Sequence, residues 1–208
     1  MKLIDPSIEI MSPINGEEIL KHIELAIRNC YKSEDKICEG SDKKLIKTIL
    51  DSHHYSTIEH QSITIRVICS RACLAQWTRH RLMSYSVESQ RYVNYSREKF
   101  GAGITFIKPR NYYTMNTVQK ALYDMAMEDC EAKYLQLISE GLKPQDARQV
   151  LNNAVKTEMV VTGNLRVWRD FLAKRTEKAA QDEIRYLATE ILKEFKSKIP
   201  VIFDDIGE

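Results

Sequence analysis

Arg79, His80 and Arg81, followed after seven residues by Ser89, Gln90 and Arg91, form a spaced set of side chains suited to holding an anion. Between residues 61 and 97 the cations are Arg66, Arg71, Arg79, Arg81, Arg91 and Arg97, with no lysine, although lysine is used freely elsewhere. The single acid in that window is Glu88. Two arginines about 7 Å apart repel by roughly 2 kcal/mol at an effective dielectric near 20, so the cluster needs water or an anion in its midst. The fixed donor fork of a guanidinium suits phosphate and carboxylate better than an ammonium point charge does. A solvated helix end, where cations favour the C-terminal dipole, would explain the charges alone. It does not explain why Trp77, Leu82, Met83 and Tyr85 are interleaved with them, or why Ser84, Ser86, Ser89 and Gln90 add short polar groups. The stretch reads as the lining of an anion site, for phosphate.

Composition narrows the classes of function. At 208 residues the chain is about one domain long and can bury a real core. A formal net charge of +2 gives no global basicity to argue for nucleic acid. The basic character is local, which favours a small anionic ligand. The N-terminal residues lack the apolar core of a signal peptide, and no apolar run approaches a membrane span. Cys30, Cys38, Cys69, Cys73 and Cys130 form an odd set without CxxC spacing, which fits reduced thiols and a cytoplasmic location.

The elements that must position the cluster follow from periodicity. Residues 2–12 alternate like a strand, punctuated by Pro6 and Pro13. Ile19, Leu20, Ile23, Ala26 and Ile27 mark a helix over residues 17–31, and Leu45, Ile46, Ile49 and Leu50 a second over 42–52. Ile63, Ile65, Val67 and Cys69 alternate as a strand. Ser70 is placed to cap a helix over 71–79, so the arginine motif leaves a helix C-terminus into a loop. Short strands are expected at 91–95 and 104–107, around a Gly101-Ala102-Gly103 turn. A long helix over 117–139 has Val118, Leu122, Met125, Cys130, Tyr134, Leu135 and Ile138 as its expected buried stripe, and Gly141 ends it. A short helix over 144–151 carries Arg148, and a β-branched run at 158–162 reads as a strand. Asn164 opens a helix with Leu165, Trp168, Phe171 and Leu172 on one face and Arg166, Arg169 and Asp170 on others. Arg175 closes it, and a last helix covers 178–196. The pattern predicts one α+β domain over residues 1–208, helix-rich with a central, mostly antiparallel sheet.

The spacing Arg-His-Arg-x7-Ser-x-Arg resembles the signature of the flavin-dependent thymidylate synthases. Arg28-Asn29-Cys30-Tyr31-Lys32-Ser33, Ser56-Thr57-Ile58-Glu59-His60, Ala147-Arg148 with Leu151, and Asn164-Leu165-Arg166 with Phe171, Leu172 and Arg175 resemble its other motifs. The likeness extends over residues 17–192. It implies an FAD-dependent methyltransferase that makes dTMP from dUMP, with 5,10-methylenetetrahydrofolate as carbon donor and NADPH as reductant. It also implies a homotetramer whose sites are shared between subunits. By motif, Gln76, Trp77, Thr78, Arg79, Glu88, Ser89, Gln90, Arg91, Arg148 and Arg175 fall on the dUMP side. Ser56, Arg79, His80, Arg81, Asn164, Leu165, Arg166 and Asp170 fall on FAD. In the family's scheme the counterpart of Arg175 stabilises the ionised N3/O4 edge of uracil, the flavin supplies the hydride, and no cysteine attacks the ring. The chain departs from the pattern at Asp170, where asparagine or histidine is common, and at Ala179, where histidine is common. It departs again at Glu88, an acid that other members place one residue earlier or lack.

Two readings of other classes stand beside this one. The Arg/aromatic stretch suits a single-stranded nucleic-acid module, but no basic stripe continues from it. His53, His54 and His60 invite a metal-dependent hydrolase, but their spacing is wrong for one helical turn and no nearby cysteine completes a set. No metal and no nucleic acid are expected.

Overall fold

A computed structural model describes residues 1–207. The strands are β1 (Lys2–Ile4), β2 (Ser7–Ile10), β3 (Ser62–Ser70), β4 (Ser84–Val87), β5 (Thr105–Ile107) and β6 (Lys156–Asn164). The α-helices are α1 (Gly16–Tyr31), α2 (Ser41–Asp51), α3 (Arg71–Trp77), α4 (Thr117–Ser139), α5 (Pro144–Ala147), α6 (Leu165–Arg175) and α7 (Asp182–Lys198). The class is α+β and helix-rich, as the periodicity predicts. β1 and β5 pair in parallel, and a four-stranded sheet has the order β2-β3-β6-β4. β6 runs antiparallel to β3: Leu165 N–H reaches Gln61 O near one end, Arg71 N–H reaches Val155 O near the other, and Thr64 and Thr162 pair between them.

The chain forms two compact units, each assembled from three separate stretches. One comprises Met1–Ser7, Val67–Arg79 and Ser86–Met159. Its core gathers Tyr95, Ile104, Phe106, Met127, Cys130, Tyr134, Ala147 and Val155. The other comprises Ile8–Arg66, His80–Tyr85 and Val160–Glu208, of which the last residue lies outside the described range. Its largely aliphatic core holds an aromatic cluster: Trp168 makes T-shaped contacts with Phe171 and Phe195, and Phe195 lies tilted against Phe203. Trp168 Nε1–H donates to Ile63 O, so the largest ring of this core is also satisfied as a donor.

Local chemistry sets the helix ends. Asn15, Ser70, Asn116 and Asn164 each accept from a backbone N–H of the following turn, a cap worth about 1 kcal/mol. Gly141, at φ 89°, takes the left-handed position after α4, and Leu142 N–H closes back onto Leu137 O.

Four expectations need correction. Residues 84–87 form a strand rather than a loop: Ser-Tyr-Ser-Val is too short to signal itself, and pairing with β6 makes it. Residues 91–95 form no strand but turns and irregular chain, because Ser89 Oγ accepts from Arg91 N–H and Ser89 O from both Tyr92 and Val93 N–H. The last helix starts later than residue 178, where Gln181 Oε1 accepts from Glu183 and Ile184 N–H. On α4 the buried residues are Met127, Cys130 and Tyr134, whereas Val118, Leu122 and Met125 are about two-thirds exposed. Val118 to Met127 and Met125 to Tyr134 are both nine positions, two and a half turns, so the expected stripe mixed opposite faces.

Candidate active site

α3 and the turns after β4 belong to the first unit, and they carry the dUMP side of the expected site. Gln76 is half-buried, Thr78 and Arg79 are exposed at the end of α3, and Trp77 is fully buried. Trp77 is therefore a core side chain that anchors the helix end, and only its backbone can meet a ligand. Ser89 and Gln90 are half-buried, and Arg91 is exposed with its guanidinium over the exposed Tyr92 ring, 5.2 Å from the centroid. Arg148 sits after α5 with its Nε donating to Gln145 O at 3.0 Å. Among the described residues neither Arg79 nor Arg91 is paired with a carboxylate.

Glu88 is different. It accepts from Lys156 Nζ at 2.6 Å and from Tyr95 OH at 2.8 Å, and its own N–H donates to Glu158 O at 2.8 Å. Lys156 also reaches Glu158, at 3.4 Å. Burial, with the Glu88 carboxylate adding to it, pushes the Tyr95 hydroxyl well above the ordinary phenol range, so Tyr95 stays a donor. Glu88 thus ties the turn bearing Ser89 and Arg91 to β6. Lys156→Met is expected to cost about 2 kcal/mol, the scale of hydrogen bonds to a charged group. That corresponds to a fall of about 4–8 °C in Tm for a chain of this size. A melt that stays in place would remove Glu88–Lys156 from the forces holding the turn.

Arg79 apart, the flavin side of the expected site lies in the second unit, as does Arg175 of the dUMP set. Ser56 is exposed, as are Arg81, Arg166 and Asp170. Leu165 is fully buried and packs in the core, so it offers a ligand backbone at most. Asn164 spends its Oδ1 on the N-cap of α6, accepting from Val167 N–H at 2.9 Å. Its amide nitrogen is the group left for a ligand. Met83, two residues past Arg81, is buried, and a Cβ on Gly163 would sit 3.3 Å from Met83 Cγ and 3.4 Å from Trp168 Nε1. Glycine there lets the motif lie flat on β6. Arg166 pairs with Glu59 at 2.5 Å, and Asp170 with Lys174 at 2.6 Å.

His80 and Arg175 meet in this unit. Arg175 Nε–H donates to His80 Nε2 at 3.0 Å, and the imidazole lies edge-on to Phe171 with centroids 4.9 Å apart. Burial pulls the His80 pKa down, Arg175 and Lys174 add to that, and Asp170 opposes it.

A cavity of about 900 Å³ opens beside α6, lined by Arg166 and Asp170 of the expected set. Its other walls were not legible as site residues: Tyr55, Arg169, Thr176, Lys178 and the turn bearing Asp205. Arg169 is buried, correcting its placement on a face away from the apolar one. Its guanidinium donates to Ile202 O and, at 2.7 and 2.6 Å, to both oxygens of Asp205, and it lies 5.4 Å from the Tyr55 ring centroid. Burial pulls the Arg169 pKa down, and the Asp205 carboxylate more than offsets it. The one sequence signal for this is an arginine four residues after Leu165 and three before Leu172, inside the apolar arc.

His53, His54 and His60 are all exposed, His53 Nδ1 lies 2.8 Å from Tyr55 OH, and among the described residues no trio close enough to share one ion includes any of them. No helix among the described residues is long and apolar enough to cross a membrane.

Comparison with known proteins gives a consistent picture. The family model described as Thymidylate synthase complementing protein matches residues 15–201. A flavin-dependent thymidylate synthase of Geobacter sulfurreducens is 35% identical over 192 residues, spanning 89% of this chain and 81% of that one. Its counterpart from Mycobacterium avium is 37% identical over 194 residues, spanning 88% and 78%. Among solved structures, the UMP/dUMP methylase PolB from Streptomyces cacaoi, bound with 5-Br dUMP, superposes with a TM-score of 0.82. It does so at 24% identity over 98% of this chain and 96% of that one, a likeness of fold.

Proposed function

The chain belongs to the Thymidylate synthase complementing protein family, that of the flavin-dependent thymidylate synthases, and on that premise we propose that it methylates dUMP to dTMP. The carbon donor is 5,10-methylenetetrahydrofolate, and the flavin is FAD, reduced by NADPH. The observation that carries the reading is the Arg-His-Arg-x7-Ser-x-Arg sequence, whose histidine is bonded to the arginine that closes α6.

The donor set suits the ligands. A phosphate monoester carries about −1.5 to −2 charges near neutral pH, and Arg79, Arg91 and Arg148 supply the counter-charge, with Gln76, Ser89 and Gln90 as neutral partners. The diphosphate of FAD calls for further cations, which Arg81 and Arg166 provide. Ser56, His80, Asn164 and Asp170 complete that set, and the cavity beside α6 gives Arg166 and Asp170 room to receive it. When bound, the flavin supplies the hydride chemistry that no side chain here can. Arg175 acts on the pyrimidine: its positive charge favours the anion at N3 and O4, and that electron density makes C5 nucleophilic. No covalent cysteine is needed, and none of the five belongs to either set. Both units serve this one activity, so residues 1–208 act as one domain. The subunits form a homotetramer, a reading supported by the exposed apolar face of Val118, Leu122 and Met125.

The test is a visible absorption spectrum of the purified protein before and after NADPH, with and without dUMP. A flavin spectrum that bleaches on reduction, at a rate changed by dUMP, is expected. A colourless protein that takes up no added FAD would overturn the reading.

A further inference from the structure

His80 accepts a hydrogen bond from Arg175, and this assigns its protonation state. Guanidinium nitrogens are always donors, so the Nε2 atom 3.0 Å from Arg175 Nε carries no proton. The ring is neutral, with its one proton on Nδ1. Its surroundings hold it there. Phe171 packs against it in a T-shaped contact, and Tyr85 OH donates to His80 O at 3.0 Å, pinning the backbone from β4. The charged groups that face the ring come from α6: Arg175, Lys174 and Asp170, the last already paired with Lys174. Tyr85, with its hydroxyl pushed up to about 12 by burial, stays neutral. A proton added at Nε2 would set two donors, both cationic, at hydrogen-bond distance.

We propose that His80 is a positioning residue whose neutral imidazole fixes the plane of the Arg175 guanidinium, and that protonating His80 in acid releases Arg175 and stops turnover. The inference rests on the assignment of Arg175 to the pyrimidine. It adds a role for the central histidine that ligand contact alone does not give. Burial and the neighbouring cations, which lower the proton affinity of His80, keep this device in its working state at neutral pH.

The test pairs a spectroscopic readout with kinetics. Nitrogen NMR of histidine-labelled, flavin-free protein should show His80 with Nε2 unprotonated at pH 8 and a midpoint below the ordinary value near 6.5. In steady state, wild-type kcat should fall about tenfold per pH unit below that midpoint, as for one essential deprotonated group. His80→Ala should lower kcat by up to about 10²-fold, the cost of a misplaced catalytic group, with a much smaller change in KM for dUMP. His80→Gln, whose carbonyl accepts from Nε but does not titrate, should restore most of kcat and lose the acid limb. An Nε2–H tautomer at pH 8, or an unchanged acid limb in His80→Gln, would overturn the proposal. Wild-type protein that makes no dTMP at pH 8 overturns the assigned activity instead, and the NMR result then judges the His80–Arg175 pair by itself.

Discussion

Arg175→Lys should lower dTMP formation by about 10²–10³-fold, the scale on which removal of one preorganised electrostatic donor acts, while FAD remains bound. Lysine keeps the charge and most of the length. It lacks the Nε–H that Arg175 gives to His80 and the fork that presents two further nitrogens in the same plane. A flexible ammonium at the end of α6 is free to turn toward Asp170, which already draws Lys174 one turn earlier. The flavin set is otherwise untouched, so flavin absorbance per protomer should match wild type. Turnover near the wild-type rate would remove Arg175 from the chemistry. Loss of flavin together with turnover would move it from the pyrimidine to the cofactor.

Asp205→Asn should cost about 2–3 kcal/mol of stability and loosen one wall of the cavity beside α6. Breaking a fully buried ion pair costs about 3–5 kcal/mol, and the smaller figure allows for the 64% exposure of the Asp205 side chain. The cation left behind, Arg169, is only 10% exposed and keeps Ile202 O as a partner. The pH dependence has a definite sign. The Arg169 hydrogen bonds hold the Asp205 carboxyl below its ordinary value, and burial works against them. Its contribution is therefore complete above the unfolded pKa near 3.9 and is lost as pH falls through the folded value. Denaturant midpoints of wild type and variant should differ at pH 7 and converge in strong acid. A constant gap across that range would mean that Asp205 contributes by packing alone.

The parts of this site that could be read from the sequence are those within one element. Ser70 and Asn164 announce their helices because a short acceptor before an apolar arc satisfies N–H groups that nothing else can reach. The parts that could not be read depend on partners far along the chain. Glu88 looked like a lone acid among arginines, but its cation is Lys156, 68 positions away, and its neutral donor is Tyr95. Arg169 looked like a solvated helix residue, but Asp205, 36 positions on, makes it a buried anchor. On α4, Val118, Leu122 and Met125 share the apolar character of Met127, Cys130 and Tyr134 but lie on the other face.

By itself the sequence determined the α+β class, the helices α1 to α4 and α6 within a residue or two, and the motif spacing that identifies the family, since each is a local or periodic property of the chain, whereas α5 ends at Ala147, four residues short of the expected 144–151. The tertiary structure decided which side chains of the motifs are buried supports and which stay open to solvent. It buried Trp77 and Leu165, and it gave Glu88 to Lys156. It also turned His80 into an acceptor for Arg175, 95 positions away. Those outcomes depend on burial and on hydrogen-bond partners brought together across the chain. A one-dimensional pattern of residue types carries neither.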